Sequence, residues 1–392
     1  MKILLVTNIL SPYRKSFYDR LHEELKKRSI NFEVFVMAST EPDREWDYND
    51  YRSSFTRLLP HKTIKIGKNI VHLNFGLRKK LKSFQPDIII ASGSYTFFTS
   101  WITLNFAKKN KILSYFWSES HQQEIRNYSK IKLFFRTGIR NVFYKKPDGF
   151  WYSGKLSKEF IEFYSKKGAK YVFVPNLIDE TKFHYANQLR KNKNKLREKW
   201  QVSVNKYIFV CPARLSIEKG IIPFIELLEK FNNKTKIEVL ILGDGPLKKD
   251  ITALIKKYGL NIKLLGYQDE SSIIELYALS DCFLLPSLSD PNPLSCIEAL
   301  WSGLPLFISC HVGNHYEVID KINQNGYIFS YEKKESFYKG INNLVDSSEK
   351  WKEEASNISI NIASKVFNTS KAVSNLSDEL LNHYNIRDSI NE

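Results

Sequence analysis

Residues 282–309 read CFLLPSLSDPNPLSCIEALWSGLPLFIS, and this stretch decides the fold. The apolar runs at 282–285 and 306–309 predict two buried strands, and the residues between them predict a helix that begins near Pro293. Proline suits the first turn of a helix, where no backbone N–H is needed. Continuous apolar strands joined by a helix indicate a parallel sheet that is covered on both faces.

The same alternation continues on both sides of this stretch. The second half predicts further strands at 207–212, 238–242 and 262–265, and the first half predicts strands at 2–7, 32–37, 88–91, 112–116, 149–152 and 171–174, with helices between them. We therefore expect an α/β protein with two doubly wound, Rossmann-like domains in series. Their expected ranges are 1–175 and 176–365, and a C-terminal helix at about 366–392 is expected to pack back on the first domain.

Length and composition exclude several classes of protein. The 392 residues are 43% hydrophobic, which suits two full-sized cores and excludes a disordered chain. No run approaches the ~20 apolar residues that cross a bilayer, and the N-terminal apolar run of four residues is too short for a signal peptide. Four cysteines lie far apart in apolar stretches, which is typical of buried thiols in a reducing compartment. We expect a cytoplasmic protein.

The positive charge is confined to one half of the chain. The net charge is +17, and residues 1–175 hold 32 Lys and Arg against 15 Asp and Glu, so the remainder is neutral. A general preference for lysine codons would raise the positive charge of both halves equally. The asymmetry therefore favours an anionic partner for the first half: a membrane surface, a nucleic acid or a phosphate-bearing substrate.

One basic segment of the first domain, residues 126–146, suits a membrane surface. Its cations are Arg126, Lys130, Lys132, Arg136, Arg140, Lys145 and Lys146, and its apolar side chains are Tyr128, Leu133, Phe134, Phe135, Phe143 and Tyr144. As a helix it would lie among anionic headgroups with its aromatic side chains dipping inward. The alternative is that the aromatic side chains face the core and the cations form the solvated side.

Ligands of open parallel sheets bind at the carboxyl ends of the strands, so the loops there are the candidate sites. After the first strand, Pro12, Tyr13 and Arg14 stand just before a helix expected at 16–27, where free backbone N–H groups and the helix dipole suit an anion. Taken alone, this segment is better explained as an ordinary loop and helix cap.

Two loops of the second half also contain candidate ligand-binding residues. Arg214 and Lys219 follow the strand at 207–212 and are close enough in sequence to converge on one anion. Gly243 and Gly245 follow the next strand, and glycines let the backbone approach a ligand closely. Each of these signals is weak by itself.

The loop within the opening stretch is more specific. The backbone N–H groups of Leu294 and Ser295, in the first turn of the expected helix, are available to a phosphate. Asp290 and Glu298 can accept hydrogen bonds from sugar or ribose hydroxyls. The alternatives are a helix cap for Asp290 and a surface charge for Glu298, but Glu298 stands in an apolar context that indicates a specific partner.

Taken together, these segments resemble the retaining nucleotide-sugar glycosyltransferases of family 4, which have the GT-B fold of two Rossmann-like domains facing a central cleft. The resemblance is carried, in order, by Arg214-x4-Lys219-Gly220, Gly243-Asp244-Gly245-Pro246, Gly266-Tyr267, Glu275-Leu276-Tyr277, Asp281, Leu285-Pro286-Ser287, Asp290-x7-Glu298-Ala299, Gly303-Leu304-Pro305 and Asn325-Gly326. It covers residues 172–330 strongly and the first domain weakly, through 11–14 and 174–176.

The resemblance implies a role for each matching residue. Arg214 and Lys219 would neutralise the donor diphosphate, helped by the segment Asn292, Pro293, Leu294 and Ser295. Glu298 would hold the ribose, Asp290 would contact the hydroxyls of the donor sugar, and Tyr267 would pack on the base. Gly243 and Gly245 would line the donor site.

Two departures from the family pattern stand out. The family usually has Glu where this chain has Asp290, so the carboxylate reaches one methylene less far, and the sugar sits differently or is a different sugar. The first-domain loop also lacks the family's frequent Gly-Gly pair and offers Pro12, Tyr13 and Arg14 instead, which puts its phosphate contact in question.

The first domain is expected to hold the acceptor, with Glu119 and His121 after the strand at 112–116. By the resemblance, His121 orients a hydroxyl of the donor sugar and joins Arg214, Lys219 and Asp290 as a catalytic residue; a structural role for His121 is the alternative. The chain contains no Asp-x-Asp motif, so the expected enzyme uses no metal and no cofactor, and cationic side chains stabilise the leaving diphosphate.

The resemblance therefore implies a glycosyltransferase that moves a sugar from a nucleoside diphosphate to a glycan or lipid-linked acceptor with retention. Its expected setting is cell-surface polysaccharide synthesis, such as O-antigen or capsule, at the inner face of the cell membrane. The alternatives are another GT-B enzyme, such as a nucleotide-sugar epimerase or a glycan phosphorylase, and a basic nucleic-acid-binding protein. No lysine for pyridoxal phosphate is identifiable, and no helix-turn-helix, zinc or RNA-binding signature supports a nucleic-acid partner.

Overall fold

A computed structural model describes residues 1–41, 47–66, 69–121 and 129–391 of the chain. These residues form two compact units. The first comprises Met1–Ser120, the described residues that lead to Ile178, and the C-terminal stretch from Thr369. The second comprises Asp179–Asn368 together with His121. Each unit is built around its own parallel sheet.

The first unit has a seven-stranded parallel sheet. Its strands are β1 (Lys2–Thr7), β2 (Asn31–Val36), β3 (Thr56–Leu58), β6 (Ile88–Ser92), β7 (Leu113–Ser118), β8 (Gly149–Tyr152) and β9 (Lys170–Phe173), and β4 (His61–Ile66) and β5 (Asn69–Asn74) form a separate antiparallel hairpin. The strand order is β3-β2-β1-β6-β7-β8-β9, so the sheet grows outward in both directions from β1 and β6. β1 is almost wholly apolar and buried, as a central parallel strand should be.

The helices of the first unit cover both faces of this sheet. They are α1 (Pro12–Lys27), α2 (Tyr48–Tyr51), α3 (Leu77–Phe84), α4 (Phe98–Lys109), α5 (Lys130–Phe143), α6 (Lys155–Tyr164) and α17 (Thr369–Asn391). α1 begins at Pro12, earlier than the expected start at residue 16, because Pro12 occupies the first turn directly after the extended residue Ser11. Pro12, Tyr13 and Arg14 therefore lie in the helix and not before it.

The C-terminal helix α17 is part of the first unit. Arg28, at the end of α1, donates to Asp378 of α17 at 2.5 Å. The Tyr115 hydroxyl on β7 and Nδ1 of His383 on α17 share a hydrogen bond of 2.6 Å. Helix α17 thus packs beside α1 and near the central strands.

Helix α5 corrects part of the interpretation of segment 126–146. Phe143 and Tyr144 are fully buried and pack with Phe116 and Phe150 in the core of the first unit, so these two cannot meet a membrane. Phe134 and Phe135 are exposed instead. Arg126 and Tyr128 of the same segment lie outside the described residues.

The second unit has a six-stranded parallel sheet with the order β12-β11-β10-β13-β14-β15. Its strands are β10 (Tyr207–Pro212), β11 (Ile237–Leu242), β12 (Ile262–Gly266), β13 (Cys282–Leu285), β14 (Leu306–Ser309) and β15 (Gly326–Phe329). Its helices are α7 (Glu180–His184), α8 (Ala186–Leu189), α9 (Lys193–Lys199), α10 (Ile221–Glu229), α11 (Lys248–Tyr258), α12 (Glu270–Leu279), α13 (Leu294–Trp301), α14 (His315–Val318), α15 (Lys334–Val345) and α16 (Glu349–Val366).

This strand order is that of the dinucleotide-binding Rossmann fold, and the expected α/β class with two doubly wound domains is confirmed. In such sheets the connections leave in opposite directions from the two central strands, here β10 and β13, and ligands bind beyond the carboxyl ends of those strands. Among the described residues, no helix combines the length and the apolar character that crossing a membrane requires.

Candidate functional site

The loops after β10 and β13 meet at the carboxyl edge of the second sheet. Lys219, in a short 3₁₀ turn after β10, donates from Nζ to Oδ2 of Asp290 in the loop after β13, at 2.5 Å. Asp290 is almost wholly buried, and the Lys219 side chain keeps about a quarter of its surface exposed. A cation and a carboxylate are thus held together at the place where this fold binds ligands.

Backbone contacts fix the two loops against each other. The carbonyl oxygen of Glu218 accepts hydrogen bonds from the backbone N–H groups of Leu288 and Ser289. The Tyr331 hydroxyl, which follows β15, donates to the carbonyl oxygen of Pro286 at 2.5 Å. Gly220 adopts a left-handed conformation, and a Cβ there would stand 2.1 Å from the Pro286 oxygen. Only glycine allows this approach.

Helix α13 presents its first turn at the same edge. Pro293 precedes the helix in an extended conformation, and Leu294 and Ser295 are its first two residues, so their N–H groups have no intrahelical acceptor. The Asn314 side chain donates to the carbonyl oxygen of Pro293 at 3.1 Å and fixes the start of the helix. Asn292 is half-buried beside it.

Glu298 lies one turn further along α13. Its Oε2 accepts a hydrogen bond of 3.0 Å from the hydroxyl of Tyr277 on α12. Burial raises the pKa of Glu298 to about 7, so the carboxyl group changes charge near neutral pH. A carboxylate with one fixed donor keeps further lone pairs for the hydroxyls of a ligand.

The loop after β11 completes the neighbourhood of Lys219. A Cβ on Gly243 would stand 2.3 Å from the oxygen of Ala213, and one on Gly245 would stand 2.5 Å from the oxygen of Leu215, so both glycines allow direct backbone packing against the loop that carries Arg214. Arg214 itself is exposed. Tyr267, after β12, is 81% exposed, the state expected of a side chain that packs on a ligand and not on a core.

His121 lies with the second unit. It is buried, and its Nε2 is 3.0 Å from the position that a Cβ on Gly313 would take. Gly313 in turn donates its backbone N–H to the carbonyl oxygen of Asp290 at 2.7 Å. The chain therefore places His121 close to the turn that holds Asp290.

In the first unit, Arg14 and Glu119 form one cluster. Arg14 pairs with Glu119 at 2.6 Å, and its guanidinium lies over the ring of Trp117, 3.8 Å from the centroid. Burial acts to lower the pKa of Arg14, but Glu119 together with Tyr18 and Tyr13 outweighs it and raises the pKa, so Arg14 stays charged. Pro12 and Tyr13, in the same helical turn, are partly exposed. Because Glu119 already neutralises Arg14, this cluster suits polar hydroxyl groups better than a free anion.

The sequence interpretation missed a second polar cluster on the first unit. Glu41 accepts from the Asn8 amide at 2.8 Å, and Nε2 of the fully buried His72 lies 3.3 Å from the same carboxylate oxygen. Asn8 directly follows β1, and this position at the carboxyl end of a strand could have marked it as a candidate site residue. His72 lies on a hairpin, and nothing in its sequence context linked it to Asn8 or Glu41.

Two residues that carry the resemblance prove to be structural. Asp281 precedes β13, at the opposite edge of the sheet, and pairs with Arg197 at 2.7 Å and Lys193 at 2.5 Å. Glu275 binds Lys199 and the indole of Trp200. Asp281 ties α9 to the start of β13, Glu275 ties the end of α9 to α12, and neither lies with Lys219.

Comparison with known sequences supports a transferase. Residues 192–362 match the family model of glycosyl transferases group 1. An uncharacterised glycosyltransferase of Methanocaldococcus jannaschii is 27% identical over 325 residues, which is 78% of this chain and 73% of the relative. The UDP-Gal:alpha-D-GlcNAc-diphosphoundecaprenol alpha-1,3-galactosyltransferase of Escherichia coli is 31% identical over 185 residues, 44% of each chain. The alpha-monoglucosyldiacylglycerol synthase of Acholeplasma laidlawii is 24% identical over 168 residues, 42% of each chain.

Solved structures agree on the fold. The Anabaena protein HepE in complex with UDP superposes with a TM-score of 0.73 at 17% identity, covering 97% of this chain and all of that one. The lipopolysaccharide outer core galactosyltransferase WaaB superposes with a TM-score of 0.70 at 14% identity, covering 98% of this chain and all of that one. The expected GT-B fold class is therefore confirmed.

Proposed function

We propose that this protein, a glycosyltransferase related to group 1, transfers a sugar from a nucleoside diphosphate to a glycan or lipid-linked acceptor with retention of the anomeric configuration. The observation that carries the proposal is the Lys219–Asp290 pair, held at the carboxyl edge of a Rossmann-like sheet beside the first turn of α13. A cation, free helix amides and two carboxylates at one edge suit a diphosphate with a sugar on either side.

Each chemical group of the donor is assigned to residues at this edge of the sheet. Lys219, the exposed Arg214 and the amides of Leu294 and Ser295 bind the diphosphate. Glu298 accepts hydrogen bonds from the ribose hydroxyls, and its contact with Tyr277 fixes the direction of the carboxylate. Asp290 contacts the donor sugar, and Tyr267 stacks on the base.

The chemistry follows from these charges. The bond between the anomeric carbon and the diphosphate oxygen breaks while the acceptor oxygen bonds to the same face of that carbon. The proton of the acceptor hydroxyl passes to an oxygen of the departing diphosphate. Lys219 and Arg214 stabilise the negative charge that develops there, so the proposed reaction uses no metal and no cofactor. His121, beside the turn of Asp290, is the candidate for orienting a hydroxyl of the donor sugar.

The acceptor is assigned to the first unit. Two clusters lie at or against the carboxyl ends of strands in this unit: the Arg14–Glu119 pair and the Asn8–Glu41–His72 cluster. Both offer paired polar groups that can hydrogen-bond to the hydroxyls of an acceptor. Two relatives support a lipid-linked acceptor by their names, since one acts on a diphosphoundecaprenol derivative and the other is a diacylglycerol glycolipid synthase. A cell-surface glycan or glycolipid is the proposed product.

A lipid-linked acceptor requires access to a membrane surface, and α5 supplies a suitable one. The side chains of Ile131, Phe134, Phe135, Ile139 and Val142 are between 44% and 76% exposed. Their spacing places Ile131, Phe135, Ile139 and Val142 along one stripe of the helix. An exposed apolar stripe of this kind marks an interaction surface.

Exposed lysines stand at both ends of the helix, Lys130 at its start and Lys145 just beyond its end. Arg136 and Arg140 do not flank the stripe, because they lie over the ring of the buried Tyr95, 5.6 and 5.2 Å from its centroid. Each Lys or Arg near an anionic bilayer contributes about 1 kcal/mol, so the excess charge of the first unit suffices for reversible binding. We therefore propose that the protein is cytoplasmic and binds peripherally to the inner face of the membrane through α5, and that nucleic acid is not its partner.

The test of the proposed function starts with the donor. A panel of nucleoside diphosphate sugars is screened for thermal stabilisation of the full chain, and the best donor is then incubated with lipid-linked and soluble glycan acceptors. NMR of the product should show the anomeric configuration of the donor. An inverted product would refute retention. Donor hydrolysis or epimerisation without transfer to any acceptor would support another GT-B enzyme.

A variant separates donor binding from transfer. Asp290→Asn should lower the transfer rate without weakening the binding of the bare nucleoside diphosphate, because Asp290 is assigned to the sugar and not to the nucleotide. An equal loss of nucleotide binding in Asp290→Asn and Glu298→Gln would show that these two roles are assigned wrongly.

A further inference from the structure

Three potential metal ligands converge beyond the carboxyl ends of β14 and β15. Cys310 and His311 directly follow β14, and Glu332 follows β15 by three residues. The thiol sulfur, one imidazole nitrogen and one carboxylate oxygen all lie within 4.8 Å of one another. Among them, Nε2 of His311 is 3.6 Å from Oε1 of Glu332. No sequence motif indicated this cluster, since Cys310 was interpreted only as a buried thiol.

The local backbone explains why neighbouring residues can face one ligand. Two consecutive residues of a strand point to opposite faces, but the strand ends at Ser309 and the chain turns at Cys310 and His311. The Cys310 N–H donates to the carbonyl oxygen of Phe329 at 2.8 Å, so the turn stays attached to the end of β15. The His311 N–H donates to Oγ of Ser309 at 3.2 Å.

We infer that Cys310, His311 and Glu332 form a binding site for a divalent transition metal of the Zn²⁺ class. Thiolate and imidazole ligands select zinc and its neighbours over Mg²⁺ and Ca²⁺, which prefer sites made of oxygen atoms. Three protein ligands leave the fourth tetrahedral position open to water or to another small ligand.

The geometry needs only a small adjustment. In a tetrahedral zinc site, ligand atoms at 2.0–2.3 Å from the ion lie about 3.3–3.8 Å from one another. The His311–Glu332 distance is already in that range, and the remaining pairs must close by about 1 Å at most. Glu332 can supply this movement because its side chain is 63% exposed. Ser330 donates to its other oxygen at 2.5 Å and so orients Oε1 toward the site.

The site is accessible from solvent. A cavity of about 460 Å³ opens beside Cys310 and is also lined by His315, Tyr316 and Tyr327. Cys310 is partly exposed, whereas the other three cysteines are buried. An ion can therefore reach Cys310 without unfolding of the sheet.

Metal binding at this place acts on the donor site. The carbonyl oxygen of His311 accepts the N–H of Asp290 at 3.3 Å, and Val312 pairs with Asp290 as an isolated bridge. A metal that fixes the side chains at 310 and 311 thus fixes the turn on which Asp290 rests. This coupling rests on the proposed function, whereas the metal site does not.

Binding is tested on the purified full chain after removal of metal with a chelator. Titration with Zn²⁺ in competition with a chromophoric chelator should give one site, and Co²⁺ should give the charge-transfer band of a thiolate ligand together with the intense visible bands of a tetrahedral ion. Because loss of an outer-shell partner already costs roughly 10- to 100-fold in affinity, loss of a direct ligand in Cys310→Ser or His311→Ala should cost at least about 100-fold.

Two controls make the result decisive. Glu335→Gln changes an exposed carboxylate three residues beyond Glu332 and should leave Zn²⁺ affinity unchanged, whereas Glu332→Gln should weaken it. Thermal unfolding in the presence of chelator reports whether each variant is folded. Absence of saturable Zn²⁺ binding, Zn²⁺ binding that survives in all three ligand variants, or a Co²⁺ complex without the thiolate band would overturn the site.

The coupling has its own measurement. Zn²⁺ should change the transfer rate of the wild type by several-fold and leave that of Cys310→Ser unaffected. A bound Zn²⁺ that does not change the rate would overturn the coupling and leave the site standing. A chain that binds Zn²⁺ through Cys310 and transfers no sugar from any donor would refute the proposed function instead.

Discussion

Replacing Glu298 by Gln tests the electrostatics of the proposed nucleotide site without using activity. Burial raises the pKa of Glu298 from an ordinary value near 4.5 to about 7 in the folded protein. The folded state therefore binds this proton more tightly than the unfolded state, and the charge on Glu298 costs stability as the pH rises from about 4.5 to about 7. Gln keeps the shape and still accepts a hydrogen bond from Tyr277, but it never becomes charged.

The size of the effect follows from the shift. Each pKa unit corresponds to about 1.4 kcal/mol, so the full shift sets the upper limit of the effect. Because the Glu298 residue is only half-buried, solvent screening reduces this limit, and the expected gain for Glu298→Gln at pH 8 is about 1–2 kcal/mol. For a unit of this size, 1 kcal/mol moves the melting temperature by roughly 2–4 °C. Scanning calorimetry should therefore show that Glu298→Gln melts several degrees above the wild type at pH 8. The difference should shrink toward pH 5.

Glu275 supplies a control of opposite sign on the helix that carries Tyr277. Burial alone would raise the pKa of Glu275, but hydrogen bonds from Lys199 and Trp200 outweigh it and lower the pKa. Its charge stabilises the fold at neutral pH, and this contribution is lost as the pH falls through the lowered pKa. Glu275→Gln should therefore melt below the wild type at pH 8.

Donor binding should depend on the same proton. With a pKa of about 7, Glu298 is about one-tenth ionised at pH 6 and about nine-tenths at pH 8, so affinity for a nucleoside diphosphate sugar should be about ten times weaker at pH 6. A diphosphate sugar is the right probe because it lacks the terminal phosphate ionisation near pH 6. Glu298→Gln should bind more weakly at pH 8 and lose this pH dependence. If Glu298→Gln were only as stable as the wild type at every pH from 5 to 8, the carboxylate would not be buried as described. If its donor affinity depended on pH as that of the wild type does, Glu298 would not bind the ribose.

Three further outcomes follow from the structure. Lys219→Ala should weaken donor binding by about 1.5–3 kcal/mol in calorimetric titration, because a charge-assisted contact to phosphate is lost; unchanged affinity in a folded variant would remove Lys219 from the site. Gly220→Ala should lower the free energy of unfolding by at least about 2 kcal/mol more than Gly259→Ala, because both glycines are left-handed but only Gly220 faces a carbonyl oxygen. Equal losses of stability in urea unfolding would contradict the close approach at Gly220. Phe134→Ser should reduce co-sedimentation with anionic liposomes at low salt, whereas Phe163→Ser, which changes an equally exposed phenylalanine on α6, should not. Binding that is independent of lipid charge and salt, or no binding by the wild type, would refute the membrane surface.

The sequence predicted the sheets well because parallel strands are marked by local apolar runs. The strand at 282–285 and the helix that starts after Pro293 appear where the pattern placed them. Lys219 and Asp290 were predicted as separate loop residues, and the strand order explains why they meet: β10 and β13 are neighbours. Strand order depends on contacts between distant parts of the chain, which periodicity does not record.

The errors have the same origin. Phe143 and Tyr144 have the composition of a membrane-facing segment, yet the end of α5 turns them into the core, and no local pattern distinguishes them from Phe134 and Phe135. The cluster of Cys310, His311 and Glu332 joins the ends of two strands that are separated by more than a dozen residues in sequence. Local patterns predict elements, whereas sites arise where the topology brings element ends together.

The Lys219–Asp290 pair has a consequence for the order of events at the proposed donor site. Without a donor, each charge neutralises the other at 2.5 Å, so neither is left unpaired in a mostly buried place. A diphosphate that draws Lys219 toward its own oxygens leaves Asp290 without its cation, and the sugar hydroxyls are then the groups that can satisfy that carboxylate. A bare nucleoside diphosphate removes the cation without supplying the hydroxyls. The pair therefore favours the complete donor over the product nucleotide, which is the preference that a transferase needs to release its product.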